Sequence, residues 1–428
     1  MKKRIAIATL GCKTNTFESA CIAAAFGDDY CYVPFDQEAD VYIVNTCTVT
    51  GRTDFKSRNL IRKVIQRKEA NPDVKVAVTG CFAQLNPEEV RALGEVDLIV
   101  DNQHKYQIPE YLSGLEHQFA PASQAQSFPP PKYAVEQMPE NSRAFQKIQD
   151  GCGLFCAYCA ISHARGPSRS AKMQDVIEQA KCFVANGYQE IVLVGVNLAL
   201  YRDGEEGLAE LVARLKQIEG LNILRLSSLE PFYVTDKLID ELADSSVVAP
   251  HFHFPLQSGS DAILKAMGRP YLSANFSSLI HKVVAQIPNA AIGLDVIVGF
   301  PGETEEDFQA TRSLIDSLPL AYLHVFPFSK RPHTKAYDLP DQIPKSIKKA
   351  RVTNLLQLSQ AKTKAYTQKL LDNQVTLRGV VEVSGAEGSE ILSDHYIRAM
   401  TAEQFPLGTL LDLTPTNIRN DKILCDVN

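Results

Sequence analysis

No stretch of this chain is apolar for long enough to cross a bilayer, and the only early apolar run, Ile5 to Leu10, is too short for the core of an export signal. No low-complexity tract dominates, which excludes a fibrous or wholly disordered protein. Charge of one sign is not in large excess either. A net −6 over 428 residues argues neither for nor against a nucleic-acid partner, so the distribution of charge matters more. What remains is the composition of a soluble globular protein too long for one core, and two or three domains are expected. Ten cysteines without an export signal point to a reducing, cytoplasmic compartment, where thiols serve as metal ligands rather than disulfides.

The cysteines are placed. Cys152, Cys156 and Cys159 stand at spacings of four and three residues, and three such thiolates can turn onto one [4Fe–4S] cube. Four irons and three cysteines leave one iron open to a small chelating molecule. A structural zinc would want four ligands in two separated pairs, and no second pair follows nearby. Cys12, Cys47 and Cys81 stand just past the strand-like runs Ile5–Leu10, Val41–Thr46 and Val74–Gly80. Open α/β sheets gather their sites at the carboxyl ends of strands, so these three can converge on a second metal centre. Small buried core cysteines are the alternative. Cys21, Cys31, Cys182 and Cys425 have no such placement and read as structural.

The C-x-x-x-C-x-x-C pattern, with Tyr158 before its last cysteine, resembles the signature of the radical S-adenosylmethionine (SAM) enzymes. Together with Leu10-Gly11-Cys12-Lys13-Thr14-Asn15, Asn45-Thr46-Cys47-Thr48-Val49-Thr50 and Gly80-Cys81-Phe82-Ala83-Gln84 it resembles the methylthiotransferases, a subfamily with an additional cluster. The resemblance implies two [4Fe–4S] clusters, one held by Cys152, Cys156 and Cys159 with SAM, the other by Cys12, Cys47 and Cys81 and carrying the sulfur. It also implies that Tyr158 lies near SAM.

The expected fold class is α/β in three parts. Alternating strand and helix signals over residues 1–114 suggest a parallel α/β sheet domain. Residues 115–142, rich in Pro, Gln, Ala and Ser around Pro129-Pro130-Pro131, read as an unpacked linker. From 143 to 373, strand-like runs near 145–149, 190–194, 222–227, 251–254, 291–298 and 321–326 suggest a partial barrel of six βα units. The polar loops fall at the carboxyl ends of those runs, where barrel chemistry belongs, making Gly195, Asn197, Ser228, Glu230, Gln257 and Gly299 candidate SAM contacts. The bland reading of Gly299 and Gly302 is a tight turn, and Thr304 with Asp307 would cap any helix. After about Gln374, short strands and glycine turns suggest a small β-barrel over 374–428 that resembles a TRAM domain, although its eight acidic residues outnumber its four basic ones.

Two basic helical stretches, 52–69 and 345–369, are candidate phosphate-binding surfaces, the second having no acidic residue. Arg165, Arg169 and Arg331 stand in loops placed to receive a substrate carboxylate, and His333 has no assigned role. Within the family the cysteine motifs look most like the enzymes acting on threonylcarbamoyl-adenosine beside the tRNA anticodon. These replace the hydrogen on carbon 2 of the adenine by a methylthio group. Enzymes for isopentenyl-adenosine or for a ribosomal-protein aspartate are the alternatives within the resemblance, and a non-catalytic iron–sulfur protein the alternative outside it. The implied partners are a tRNA anticodon stem-loop and an electron donor such as flavodoxin or ferredoxin. No membrane is involved, and the sulfur donor is open.

Overall fold

Val41–Thr46 reads VYIVNT and is buried at every position, as a strand covered on both faces of a parallel sheet must be. It is β3, the middle of five parallel strands in the order β2-β1-β3-β4-β5. The others are β1 (Lys3–Thr9), β2 (Tyr30–Tyr32), β4 (Lys75–Gly80) and β5 (Leu98–Ile99). Ile5 stands opposite Val41, and Val41 opposite Lys75, so the carboxyl ends of β1, β3 and β4 come level. Helices α1 (Lys13–Ala25), α2 (Gly51–Ala70) and α3 (Cys81–Leu85) follow those ends. The Thr50 side chain caps α2 by accepting from the Thr53 N–H, and Ile61, Val64 and Ile65 seat it against Val44, Val76 and Val78. The structure, a computed structural model, describes residues 2–129, 134–419 and 422–428.

The chain folds into two compact units. The first comprises residues 1–139, 145–182 and 329–337, the second 140–144, 183–328 and 338–428. These units do not follow the boundaries at 114, 142 and 373 read from composition. The described parts of 115–142 also pack where an open linker was expected. Ala122, Ala125, Val135 and Met138 are buried, Gln84 donates to the Ala120 carbonyl at 3.0 Å, and the Val135 N–H donates to Gln179 at 2.9 Å. Outside the short helical turn Ala122–Gln124, side chains thus satisfy part of the described backbone here. Pro130 and Pro131 lie outside the described residues.

All six strand runs of the expected partial barrel are strands, beginning with Ala144–Lys147. In the second unit β6 (Glu190–Val194) pairs parallel with β7 (Ile223–Leu226). β8 (His251–Gln257), β9 (Ala291–Val298) and β10 (Tyr322–Pro327) form a parallel sheet, and the bridges Leu224–Val248 and Ser228–His253 join the two groups. The chain closes with a barrel of five strands in the order β11-β12-β13-β15-β14. They are β11 (Leu377–Gly385), β12 (Gly388–Ser393), β13 (Arg398–Thr401), β14 (Leu410–Arg419) and β15 (Lys422–Val427), with Leu377, Val381, Ile391, Leu413 and Ile423 in its core.

The basic stretch 345–369 is one helix, α4 (Lys345–Asp372), but much of its charge is used by the chain itself. Arg351 pairs with Glu303 at 2.5 Å, and Lys348, Lys362 and Lys369 donate to the carbonyls of Phe328, Leu318 and Pro288. Lys345, Lys349 and Lys364 stay exposed. In α2, Lys68 pairs with Asp97 at 2.6 Å and Arg58 with Glu89 at 3.0 Å, leaving Arg52, Lys56, Arg62 and Lys63 exposed.

Candidate active site

The level ends of β1, β3 and β4 bring three cysteines together. Cys12 is the N-cap of α1, Cys47 follows β3, and Cys81 opens α3. Glycine makes the approach possible. Gly11 has φ +101, and a Cβ there would lie 2.6 Å from the Cys47 sulfur. Gly80 has φ +94, and its Cβ would lie 2.3 Å from the Thr46 carbonyl oxygen. The Asn15 amide clips the ends, donating to the carbonyls of Leu10 at 2.7 Å and Thr46 at 3.1 Å. Burial, reinforced by Cys81 and Cys12, pushes the Cys47 thiol up to about 12, and burial pushes Cys81 up as well.

The second triad lies on the loop between Ala144–Lys147 and the short helix Ile161–Arg165. The Cys152 N–H donates to the Gly166 carbonyl at 3.0 Å and the Cys159 N–H to that of Cys156 at 3.0 Å. Phe155 turns the loop with φ +47, a strained value for an aromatic, and Tyr158 is half-buried within it. Burial, then the charges of Cys156 and Cys152, push Cys159 up to about 11.

None of the ten cysteines is in a disulfide. Two separate sets of three thiols, with no carboxylate or imidazole within either set among the described residues, are the donor chemistry that a [4Fe–4S] cluster with one open iron takes. Cys21 does not join the first set but lies beside Lys147, Glu18 and Lys105. Cys31 is exposed, and Cys182 and Cys425 face carbonyl oxygens.

One loop touches both cysteine loops. Within 329–337, Arg331 donates to Thr48, next to Cys47, at 2.7 Å and pairs with Asp54 at 2.5 Å. The Ala336 N–H donates to the Ala157 carbonyl at 2.7 Å. Lys330, beside Arg331, is exposed, its ammonium 4.4 Å from the Tyr337 ring centre.

The three candidate substrate arginines are therefore not free cations. Arg331 is the staple just described. Arg165 is 2 % exposed and donates to Glu18, Asp150 and Asn15 at 2.7 to 3.1 Å. Arg169 donates to the carbonyls of Arg165 and Pro167 and pairs with Asp150 at 3.3 Å. Around them lie Lys105 and Lys147, both buried and paired with Glu18 at 2.7 and 2.8 Å.

In the second unit, the expected cofactor residues gather at the carboxyl ends of β6 to β9. Asn197 is buried and Gly195 half-buried after β6. The Ser228 hydroxyl is 2.9 Å from His253 Nδ1, Glu230 is ion-paired with Arg269, and Gln257 takes φ +66 where the β8–β9 register shifts. The Gly299 N–H is already donated to Glu303. Sequence reasoning missed the face below them. Asp295 Oδ1 is 3.2 Å from both His253 Nε2 and His324 Nδ1. Burial works to raise the Asp295 carboxyl, but the two imidazoles outweigh it and hold it down to about 2. The signal was there: Asp295 is the one charge in AIGLDVIV, and His251 and His253 alternate in HFHFPLQ.

Residues 4–101 match the model of an uncharacterized protein family, UPF0004, and residues 147–315 that of the Radical SAM superfamily. The threonylcarbamoyladenosine tRNA methylthiotransferase MtaB of Aquifex aeolicus is 38% identical over 400 residues, covering 92% of this chain and 95% of that one. The tRNA-2-methylthio-N(6)-dimethylallyladenosine synthase of Clostridium novyi is 34% identical, covering 83% and 80%. Among solved structures, the radical S-adenosylmethionine methyltransferase TsrM from Kitasatospora setae, with cobalamin and a [4Fe–4S] cluster bound, has a TM-score of 0.60 at 13% identity, over 79% of this chain and 77% of that one. That likeness is one of fold.

Proposed function

Because the chain belongs to the radical SAM methylthiotransferases of tRNA, we propose a reading of its site in which each group has a stated task. The reaction is replacement of the hydrogen on carbon 2 of threonylcarbamoyladenosine by a methylthio group. The observation that carries it is the pair of three-cysteine sets in one compact unit, where radical SAM chemistry alone needs only one set. Cys152, Cys156 and Cys159 hold one [4Fe–4S] cluster, Cys12, Cys47 and Cys81 the other. When bound, the clusters and SAM supply the radical, the methyl group and the sulfur. The chain's own work is to hold, orient and exclude water. The 329–337 staple fixes the two cysteine loops against one another, so misplacement of either is resisted by hydrogen bonds to Thr48 and Ala157. The loops at Gly195, Asn197, Ser228, Glu230, Gln257 and Gly299 are the proposed SAM contacts of the second unit, as Tyr158 is of the first.

Threonylcarbamoyladenosine carries a carboxylate that isopentenyl-adenosine lacks, and its site needs a cation. The arginines are buried and ion-paired within this chain, so we assign the carboxylate to Lys330, exposed beside the staple. An electron donor such as flavodoxin or ferredoxin supplies reducing equivalents. Among the described residues no helix is long and apolar enough to cross a membrane. Mass analysis of tRNA nucleosides from cells with and without this chain tests the reading. The methylthio form of threonylcarbamoyladenosine is expected to vanish in its absence, while a loss confined to the isopentenyl nucleoside would transfer the chain to the dimethylallyl branch.

The exposed lysines of α4 are proposed to bind tRNA phosphates. Changing Lys345, Lys349 and Lys364 to Glu is expected to weaken binding and to flatten the dependence of log K on log salt. The slope should fall by roughly 0.7 to 0.9 for each phosphate no longer neutralised. Lys348 and Arg351 are left alone, because both hold the fold. An unchanged slope removes the helix from the interface.

A further inference from the structure

The first unit buries more positive charge than it neutralises. Lys105, Lys147, Arg165 and Arg169 are each at most 7 % exposed, and the carboxylates within ion-pair distance of them, among the described residues, are Glu18 and Asp150, both fully buried. Four cations against two anions leave a formal +2. A buried charge in excess is strongly disfavoured unless a further counter-charge lies nearby.

The array lies against both cysteine sets. Arg165 shares Asn15 with the first, since Arg165 donates to Asn15 Oδ1 at 2.7 Å while the Asn15 amide clips the backbone ahead of Cys12 and Cys47. Arg165 and Cys81 also feel one another's charge. Toward the second set, Asp150 accepts from the Gly151 N–H at 2.9 Å, one residue before Cys152, and Arg165 ends the helix that follows Cys159. A cubane core of charge +2 bound by three thiolates carries −1. Two such centres carry −2, which balances the array.

We propose that this buried array is the counter-charge of both cysteine centres, and that Arg165 is a positioning residue that sets the redox poise of the Cys12/Cys47/Cys81 centre. The inference rests on the reading that each triad holds a cluster. Adding an electron to a centre beside a fixed cation is favoured, and beside a fixed anion disfavoured, with little water to screen either. Arg165 therefore holds the potential up and Glu18 holds it down. The two side chains are bonded to one another, so a merely structural loss of that contact predicts no difference of sign between the two variants.

The test is a redox titration of the cluster-loaded full chain followed by electron paramagnetic resonance, with the Cys152/Cys156/Cys159 triple alanine variant assigning which signal belongs to which centre. Arg165→Gln is expected to lower the reduction equilibrium constant of the N-terminal centre about tenfold, a shift of about 59 mV for one electron. Arg165→Lys restores most of it, and Glu18→Gln shifts it upward. Should Arg165→Gln fail to retain its cluster, the sign of the Glu18→Gln shift decides. Potentials that stay put, or that move downward in both the Gln variants, overturn the proposal. Iron analysis separates this from the underlying reading: no cluster at the first triad in the unaltered protein defeats that reading, whereas a full cluster with an immobile potential defeats only the array.

Discussion

Replacing Cys152, Cys156 and Cys159 by alanine should leave the reconstituted protein with one cluster in place of two and abolish reductive cleavage of SAM. Replacing Cys12, Cys47 and Cys81 should also leave one cluster, but SAM cleavage should survive while methylthiolation is lost. Survival of the other cluster follows because, beside the staple they share, each triad has supports of its own. The first triad is set by Gly11, Gly80 and the Asn15 clip at the sheet edge. The second is set by the Cys152 N–H donating to the Gly166 carbonyl and by the Ala336 N–H of the staple loop donating to the Ala157 carbonyl. Neither set borrows a sulfur from the other, so emptying one leaves the donor atoms of the other in place. Iron and sulfide analysis with a 5′-deoxyadenosine assay reads both results. Two clusters in the second triple variant would remove the sheet-edge site.

Removal of the Lys330 charge has the next largest expected effect. A charge-assisted hydrogen bond to a carboxylate contributes roughly 1.5 to 3 kcal/mol, and its loss in a closed site corresponds to roughly one to two orders of magnitude in kcat/KM. Lys330→Ala is expected to slow methylthiolation of the threonylcarbamoyl tRNA by about that factor and to leave SAM cleavage unchanged. Lys330→Arg should recover part of the loss. Lys330 is exposed and touches the Tyr337 ring, and among the described residues no ion pair holds it, so the folded state should survive the change. Wild-type rates in Lys330→Ala would return the carboxylate to another group.

The meeting of Cys12, Cys47 and Cys81 at one sheet edge was legible because its logic is local. Each thiol of the first set follows an apolar run, and a parallel sheet brings such ends level whatever the separation in sequence. The strands of the partial barrel and the closed C-terminal barrel announced themselves the same way, through apolar runs bounded by glycine turns. The arginines did not. Arg165 looks like a loop cation until Glu18, 147 residues away, is seen beside it. Nothing in the composition of α1 marks that glutamate as buried. The basic stretch 345–369 misled for a related reason, because Arg351 finds Glu303, and three lysines find carbonyl oxygens, on other elements. The described parts of 115–142 pack in part through bonds between the backbone and the side chains of Gln84 and Gln179, which leave no periodic trace. His253, Asp295 and His324 were hidden as members of three different strands, each unremarkable until register aligned them.

The most direct measurement offers the cluster-loaded, unaltered protein two tRNAs in one reaction with SAM and reductant, one bearing threonylcarbamoyladenosine and the other isopentenyl-adenosine. A cation that pairs with the carboxylate gains nothing from an apolar tail, so discrimination by at least the roughly one to two orders of magnitude that the Lys330 charge supplies is expected. Mass analysis of the digested products is expected to find the methylthio group on the threonylcarbamoyl nucleoside alone. Efficient methylthiolation of the isopentenyl nucleoside would contradict the account.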